Sequence, residues 1–170
     1  MLHGVRPLLV LPLALLLAAC GPIDRATSAP PGATAPGSRE EATVTRVVDG
    51  DTIHVLVDGA DTTIRFIGVD TPETVAPGQP IECYGPEASH FTTARLTGGV
   101  VELEFDRDLI DPYERTLAYV WLDGRLFNET LVRRGFAEAK AYPPNVAYQD
   151  ELEAAESRAR ADRRGMWGVC

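Results

Sequence analysis

A chain of 170 residues with 45% hydrophobic residues, three cysteines and a formal charge of −9 has room for one domain and short appendages. That balance excludes a protein that meets nucleic acid through a generally basic surface, because no basic tail or stripe is present. An anionic substrate would have to be held by a local arginine cluster or by a metal.

The chain opens with "MLHGVRPLLVLPLALLLAAC": a weakly basic start at Arg6, then an apolar run from Leu8 to Leu17. The run is too short and too near the end for a stable spanning helix, and reads as an export signal. Leu17-Ala18-Ala19-Cys20-Gly21 resembles a bacterial lipoprotein box. It predicts a signal peptide over 1–19, cleaved before Cys20, with Cys20 then lipid-modified and the protein held extracytoplasmically at the cell membrane. The plainer alternative is a secretory peptide with an unmodified cysteine. Residues 20–41 are rich in Pro, Ala, Gly, Ser and Thr, and Pro22, Pro30, Pro31 and Pro36 oppose helix, so a flexible tether is expected. A single domain is expected over 42–170.

Within that domain, "ATVTRVVDGDTIHVLVDGADTTIRFIGV" alternates apolar and polar residues and is broken by Asp49-Gly50 and Asp58-Gly59. These turn signals predict three antiparallel strands at about 43–48, 52–57 and 62–68. Two cysteines remain in the domain, Cys83 and Cys170, and in an exported chain they read as one disulfide. Two free thiols or an intermolecular bridge are the alternatives. "YGPEASHFTTARLTGG" predicts a helix with Pro86 in its first turn and Gly98-Gly99 at its end. Further strands are expected at 100–106 and 115–123. "NETLVRRG" predicts a short helix with Asn128 as N-cap and Gly135 just past its end. A last helix over 146–163 places Tyr148, Leu152, Ala155 and Ala159 on one face, after which Trp167 packs back. The fold class is therefore α+β: a five-stranded OB-type β-barrel with three helices.

Four segments carry the chemistry: "DGDT" (49–52), "RFIGVDTPET" (65–74), "YGPEAS" (84–89) and "DPYERTLAY" (111–119). In this order and spacing they resemble the thermonuclease, or staphylococcal-nuclease-like, family from about residue 44 to the C-terminus. The resemblance implies a calcium-dependent phosphodiesterase that cuts DNA and RNA with little sequence specificity, prefers single strands and leaves 3′-phosphate ends. It implies Asp51 and Asp70 as metal carboxylates, with Thr71 offering its backbone carbonyl. Arg65, Glu73 and Arg115 fall where the family keeps catalytic residues, and Tyr113 and Tyr142 fall near positions that line its nucleotide pocket. A monomer is expected.

The chemistry asks for these residue types on its own account. Attack on a phosphodiester builds negative charge on the equatorial oxygens, and a guanidinium presents a planar, permanently charged fork matched to them. Ca²⁺ is a hard cation that takes several oxygens at about 2.3–2.6 Å, so two aspartates, a carbonyl and waters suit it. Glu73 would accept the proton of an attacking water or orient that water. Other candidates read as structural. His54 and His90 read as surface residues, Asp49 as a turn former, and Asp106, Asp108 and Asp111 as a solvated loop. Trp121 and Phe127 read as core. Glu114 departs from the family pattern, in which many relatives carry glycine before the arginine; its side chain is expected to point to solvent. A non-catalytic barrel that binds nucleic acid or a protein partner is the alternative function, but it would have no need for Arg65, Glu73 and Arg115 together.

Overall fold

The computed structural model of the chain describes Met1, 37–74, 78 and 80–170. The export segment beyond Met1, the lipidation candidate Cys20 and the expected tether as far as residue 36 lie outside the described residues. Among the described residues no helix is long and apolar enough to cross a membrane.

The first strand, β1 (Arg39–Val47), begins inside the segment expected to be tether, which corrects the boundary at residue 42. Its start is charged, and the charges are used. Arg39 ion-pairs with Glu104 at 3.1 Å and lays its guanidinium 3.6 Å above the Trp121 ring. β2 (Thr52–Val57) and β3 (Ala60–Phe66) follow in antiparallel pairing. Between them Asp58 and Gly59 both adopt positive φ, 49° and 81°, the two-residue turn whose twist matches that of the flanking strands. The chain continues through β4 (Val69–Asp70), α1 (Gly85–Leu96), β5 (Val100–Glu104) and β6 (Thr116–Leu122). It ends with β7 (Arg125–Leu126), α2 (Phe127–Arg134), β8 (Glu138–Ala139), α3 (Gln149–Ala161) and a final turn, α4 (Met166–Val169).

The strand order β3-β2-β1-β5-β6 is antiparallel throughout and closes on itself through a parallel pairing of β3 with β6. The result is the expected five-stranded barrel of an α+β domain, with α1, α2 and α3 packed around it. An irregularity between Val44 and Arg46 lets β1 turn a corner. Its first half pairs with β5 and its second half with β2. The short β7 returns from β6 through Asp123-Gly124, again with positive φ at both residues. The strand expected over 115–123 stops short of this return strand.

Alternation fills the barrel: Val44, Ile53, Val55, Ile64, Phe66, Leu103 and Val120 are buried, and Leu131 of α2 and Leu152 of α3 join the same core. Phe127 is core as expected, edge-on to Phe66 at 6.2 Å and stacked on Phe91 at 5.8 Å, whereas Trp121 is only half-buried. Gly68, at φ 77°, carries the chain from β3 into β4. A Cβ there would stand 2.5 Å from the Leu152 side chain, so α3 rests directly on this backbone turn.

Two helix boundaries differ from the pattern-based reading. The N-cap of α2 is Leu126, and Asn128 lies inside the helix, fully buried. Its Oδ1 accepts the Val120 N–H at 2.9 Å and its Nδ2 donates to the Ile67 carbonyl at 2.8 Å, so it bolts α2 to the barrel instead of capping the helix. α3 begins at Gln149 rather than 146; in the turn ahead of it the Ala147 N–H donates to the Asp106 carboxylate at 3.2 Å. At the far end Trp167 does pack back, with the Arg160 guanidinium 3.5 Å above its ring. Cys83 and Cys170 are bonded, with Cα atoms 6.0 Å apart. The crosslink spans 87 residues. On the chain-entropy model a loop of that size stabilises the fold by about 4.6 kcal/mol.

Replacing Asn128 with Ala leaves one buried N–H and one buried C=O without their partner. Urea unfolding of Asn128→Ala should show a loss of about 3 kcal/mol; a loss under about 1 kcal/mol would mean water replaces the amide.

Candidate active site

Two strand pairings bring the site together. Opposite Arg65 on β3 stands Thr52 on β2, so Asp51, one residue before Thr52, arrives beside Arg65. On the other side of β3, Ile64 pairs with Thr116 and Arg65 with Leu117 of β6, which delivers Arg115 to the same end of the barrel. Gly50 completes the approach from the β1–β2 turn. A Cβ on it would meet the Thr71 side chain at 2.7 Å, so this glycine is needed for contact with Thr71 rather than for a positive φ.

These elements border one cleft of about 500 Å³, lined by Asp49, Asp51, Arg65, Asp70, Thr71, Pro72, Glu73, Tyr113 and Arg115. Asp51, 5% exposed, is its anchor. One oxygen, Oδ2, receives the Arg65 guanidinium at 2.9 Å, the Thr71 N–H at 2.8 Å and the Thr71 hydroxyl at 2.9 Å. Arg65 is fixed in turn: it reaches Asp70 at 3.0 Å and donates to the carbonyls of Val69 and Phe66 at 3.1 and 3.3 Å. Asp70 also takes Lys140 at 2.8 Å.

Arg115 is held from behind. Asp111 accepts the Arg115 Nε–H at 2.7 Å, pairs with Nη2 at 2.6 Å, and gathers the Tyr113 and Arg115 backbone N–H groups at 2.9 Å each. The expectation that Asp106, Asp108 and Asp111 form a solvated loop is corrected on two counts. Asp111 is the seat of Arg115, its side chain only 9% exposed, and buried Asp106 receives the Tyr119 hydroxyl and the Ala147 N–H. Asp108 is exposed, as expected.

Glu73 lines the cleft, and its carboxylate accepts the Thr74 N–H at 2.7 Å. Thr71 lines it as well, through a residue whose N–H and hydroxyl are already spent on Asp51. Tyr113 borders this cleft and also a second hollow of about 420 Å³ that shares Arg65 and Arg115 and is walled by Tyr142. Asp49 shapes its turn as expected, accepting the Asp51 N–H at 3.0 Å. Glu114 is exposed and lines neither hollow; its φ of 64° is one that favours glycine. His54 lies outside the site in a surface cluster with Arg46 and Asp61, and His90 is exposed.

Sequence reasoning missed Asp111 and Lys140. The Asp-Pro start of "DPYER" carries a turn signal for the first. Nothing in the sequence signals Lys140, which reaches Asp70 only because β8 pairs with β4.

Residues 63–169 match the family model described as staphylococcal nuclease homologue. The chain belongs to the staphylococcal nuclease family. It is 51% identical over 124 residues to a thermonuclease of Staphylococcus hyicus, covering 73% of each chain. To a thermonuclease of Staphylococcus intermedius it is 49% identical over 128 residues, 75% of this chain and 76% of the relative. An endonuclease of Bacillus subtilis, YncB, is 41% identical over 127 residues, 74% of this chain and 60% of the relative. As a member of this family the chain is a nuclease, a hydrolase of nucleic acid, and the cleft is where its polar and charged groups converge.

Burial pushes the Asp51 carboxyl up to about 6 from its ordinary 3.8; Arg65 and the Thr71 bonds pull it down, while neighbouring Asp49 adds to the rise. A carboxylate whose folded pKa is raised contributes stability below its unfolded pKa and loses that contribution as pH rises through the folded value. Thermal melts in chelator should therefore show the parent losing stability between pH 3.8 and about 6 more steeply than Asp51→Asn. Equal slopes would mean Asp51 is ionised across the whole range.

Proposed function

We propose that this nuclease is a calcium-dependent phosphodiesterase that cuts DNA and RNA with low sequence specificity, prefers single strands and leaves 3′-phosphate ends. The observation that carries the reading is one cleft bordered by two guanidiniums, Arg65 and Arg115, and by the carboxylates of Asp51, Asp70 and Glu73.

Each arginine is braced by a carboxylate before any substrate arrives, so little reorganisation is needed when charge develops on a phosphate. Arg65 spends both terminal nitrogens on the protein, whereas none of the described residues accepts from Arg115 Nη1. Arg115 thus brings a spare donor to the equatorial phosphate oxygens, and Arg65 brings a rigid positive charge. Glu73 would hold the attacking water, taking or steering its proton. Tyr113, 80% exposed, and Tyr142, 44% exposed, offer ring faces on the second hollow that suit one unstacked base, which favours single strands.

The donor set tests well for calcium. Asp51, Asp70 and the Thr71 carbonyl are hard oxygen donors, and the raised Asp51 pKa marks a buried carboxylate whose charge is under-compensated. Among the described residues no three His, Cys, Asp or Glu side chains are grouped so as to hold a metal ion, so two aspartates and a carbonyl would leave water to complete the shell. When bound, the ion polarises the phosphate and offsets the local carboxylates.

The lipoprotein-like segment ending at Cys20 supports export and a lipid anchor, with the domain carried on a tether outside the cytoplasmic membrane. The protein is taken to act as a monomer.

Incubation of the exported protein with denatured DNA or with RNA, with Ca²⁺ and with excess chelator, tests the core of this reading. Cleavage should occur only with Ca²⁺; cleavage in chelator would remove the ion, and none in either would remove the enzyme. Arg115→Ala should lose roughly a hundredfold or more in rate with little change in melting temperature, because Asp111 keeps its two backbone donors. Arg65→Ala should lose activity and stability together, since this largely buried side chain links Asp51, Asp70 and the carbonyls of Phe66 and Val69. A near-normal rate in either variant would show that arginine to be misassigned.

A further inference from the structure

The end of the barrel away from the cleft carries charge that the catalytic reading does not use. One hollow there, of about 320 Å³, is lined by Arg95, Arg125, Arg133 and Arg134, with Phe91 in its wall. A neighbouring hollow of about 480 Å³ shares Arg125, Thr130 and Arg133 with it and has Trp121 in its wall. Three elements converge to build this face: Arg95 sits in the last turn of α1, Arg125 opens β7, and Arg133 and Arg134 close α2.

The charges are not matched in number. Arg133 pairs with Glu129 at 3.2 Å, and Arg134 lies 5.1 Å from the Phe91 ring centroid. Arg95 and Arg125 are exposed and have no acceptor among the described residues. Against the four guanidiniums, Asp123 is the single carboxylate among the described residues that line the first hollow, and Glu129 and Glu151 line the second. In a chain of net charge −9, four arginines around one hollow form a pronounced local excess that a bound anion would relieve. Arginine forks match phosphate oxygens two at a time, so four of them around one hollow suit a phosphodiester backbone.

We propose that Arg95, Arg125, Arg133 and Arg134 form a second phosphate site, which holds the backbone of a polynucleotide outside the catalytic cleft. Its ligand class rests on the nuclease reading; the site itself does not. The two sites lie at opposite ends of β6, whose seven residues from Thr116 to Leu122 span about 20 Å at about 3.3 Å per residue. A chain that engages both must be several nucleotides long, within the roughly 4–16 nucleotides that OB folds accommodate. An anionic lipid surface is the competing partner. A concave site in which the arginines surround a hollow favours a strand over a flat layer of headgroups.

The test uses Arg95→Gln/Arg125→Gln, since neither side chain has a partner to lose among the described residues. Anisotropy is read with a labelled phosphorothioate oligothymidylate long enough to span both sites, and with a thymidine dinucleotide. For the long chain, affinity at low salt should fall about tenfold, and the slope of log affinity against log salt should shrink by about 1.4, or about 0.7 per contact. Dinucleotide binding and cleavage should not change. Unaltered long-chain affinity and slope would overturn the proposal, as would an equal loss for the dinucleotide or full competition by inorganic phosphate alone. Weakened binding to phosphatidylglycerol vesicles with intact oligonucleotide binding would reassign the face to membrane and overturn it too. A parent protein that cleaves nothing, yet binds the long chain through these arginines, would sink the nuclease reading and support the site.

Discussion

The parallel pairing of β3 with β6 is the constraint on which the rest depends. An open five-stranded sheet would leave β3 and the first half of β6 as free edges, with their backbone groups unsatisfied and the two arginines at opposite margins. Closure satisfies the edges and sets Ile64 against Thr116, so Arg65 and Arg115 come to one end of the barrel. The β2–β3 register then adds Asp51 beside Arg65. The site is thus a by-product of barrel geometry: its charged groups sit at or just beyond strand ends, held by backbone pairings rather than by their attraction for one another.

That rigidity has an electrostatic cost, which the local bonding pattern offsets. Asp51 is buried next to another aspartate, an arrangement that on its own would drive it to the neutral form. Arg65 and two bonds from Thr71 oppose this, and Gly50 allows Thr71 close enough to make them. Arg65 itself is bound on all sides by Asp51, Asp70 and two carbonyls. A buried guanidinium with fixed partners is a poor way to gain stability but a good way to fix a charge in place. The cleft gives up stability for a prearranged field.

The charge distribution follows the same logic at larger scale. An acidic chain gains no long-range pull on a polyanion, so attraction must be concentrated where contact occurs. Arginine rather than lysine does this, because its fork is directional and its charge does not titrate. Arg65 and Arg115 serve the cleft; Arg95, Arg125, Arg133 and Arg134 gather at the other end of β6. The lone lysine of the domain, Lys140, is placed against Asp70, where a point charge suffices.

What the sequence determined by itself was local or carried by whole motifs. Alternation between apolar and polar residues, interrupted by Asp-Gly pairs, was enough for β2 and the Asp58-Gly59 turn, and the glycines marked where α1 and α2 end. The four motifs in order were enough for the family and for the residues that line the cleft. Wherever meaning came from a distant partner, the sequence was mute. Arg39 and Glu40 look like linker until β5 lies beside them; Asn128 looks like a cap until Val120 and Ile67 supply its partners. Asp111 looks like solvent-facing loop until Arg115 folds over it, and Lys140 has no visible role until β8 meets β4. A side chain's type fixes which bonds it can make, but only tertiary structure decides who is within 3 Å to make them. That is why the chemistry of this site was legible and its bracing was not.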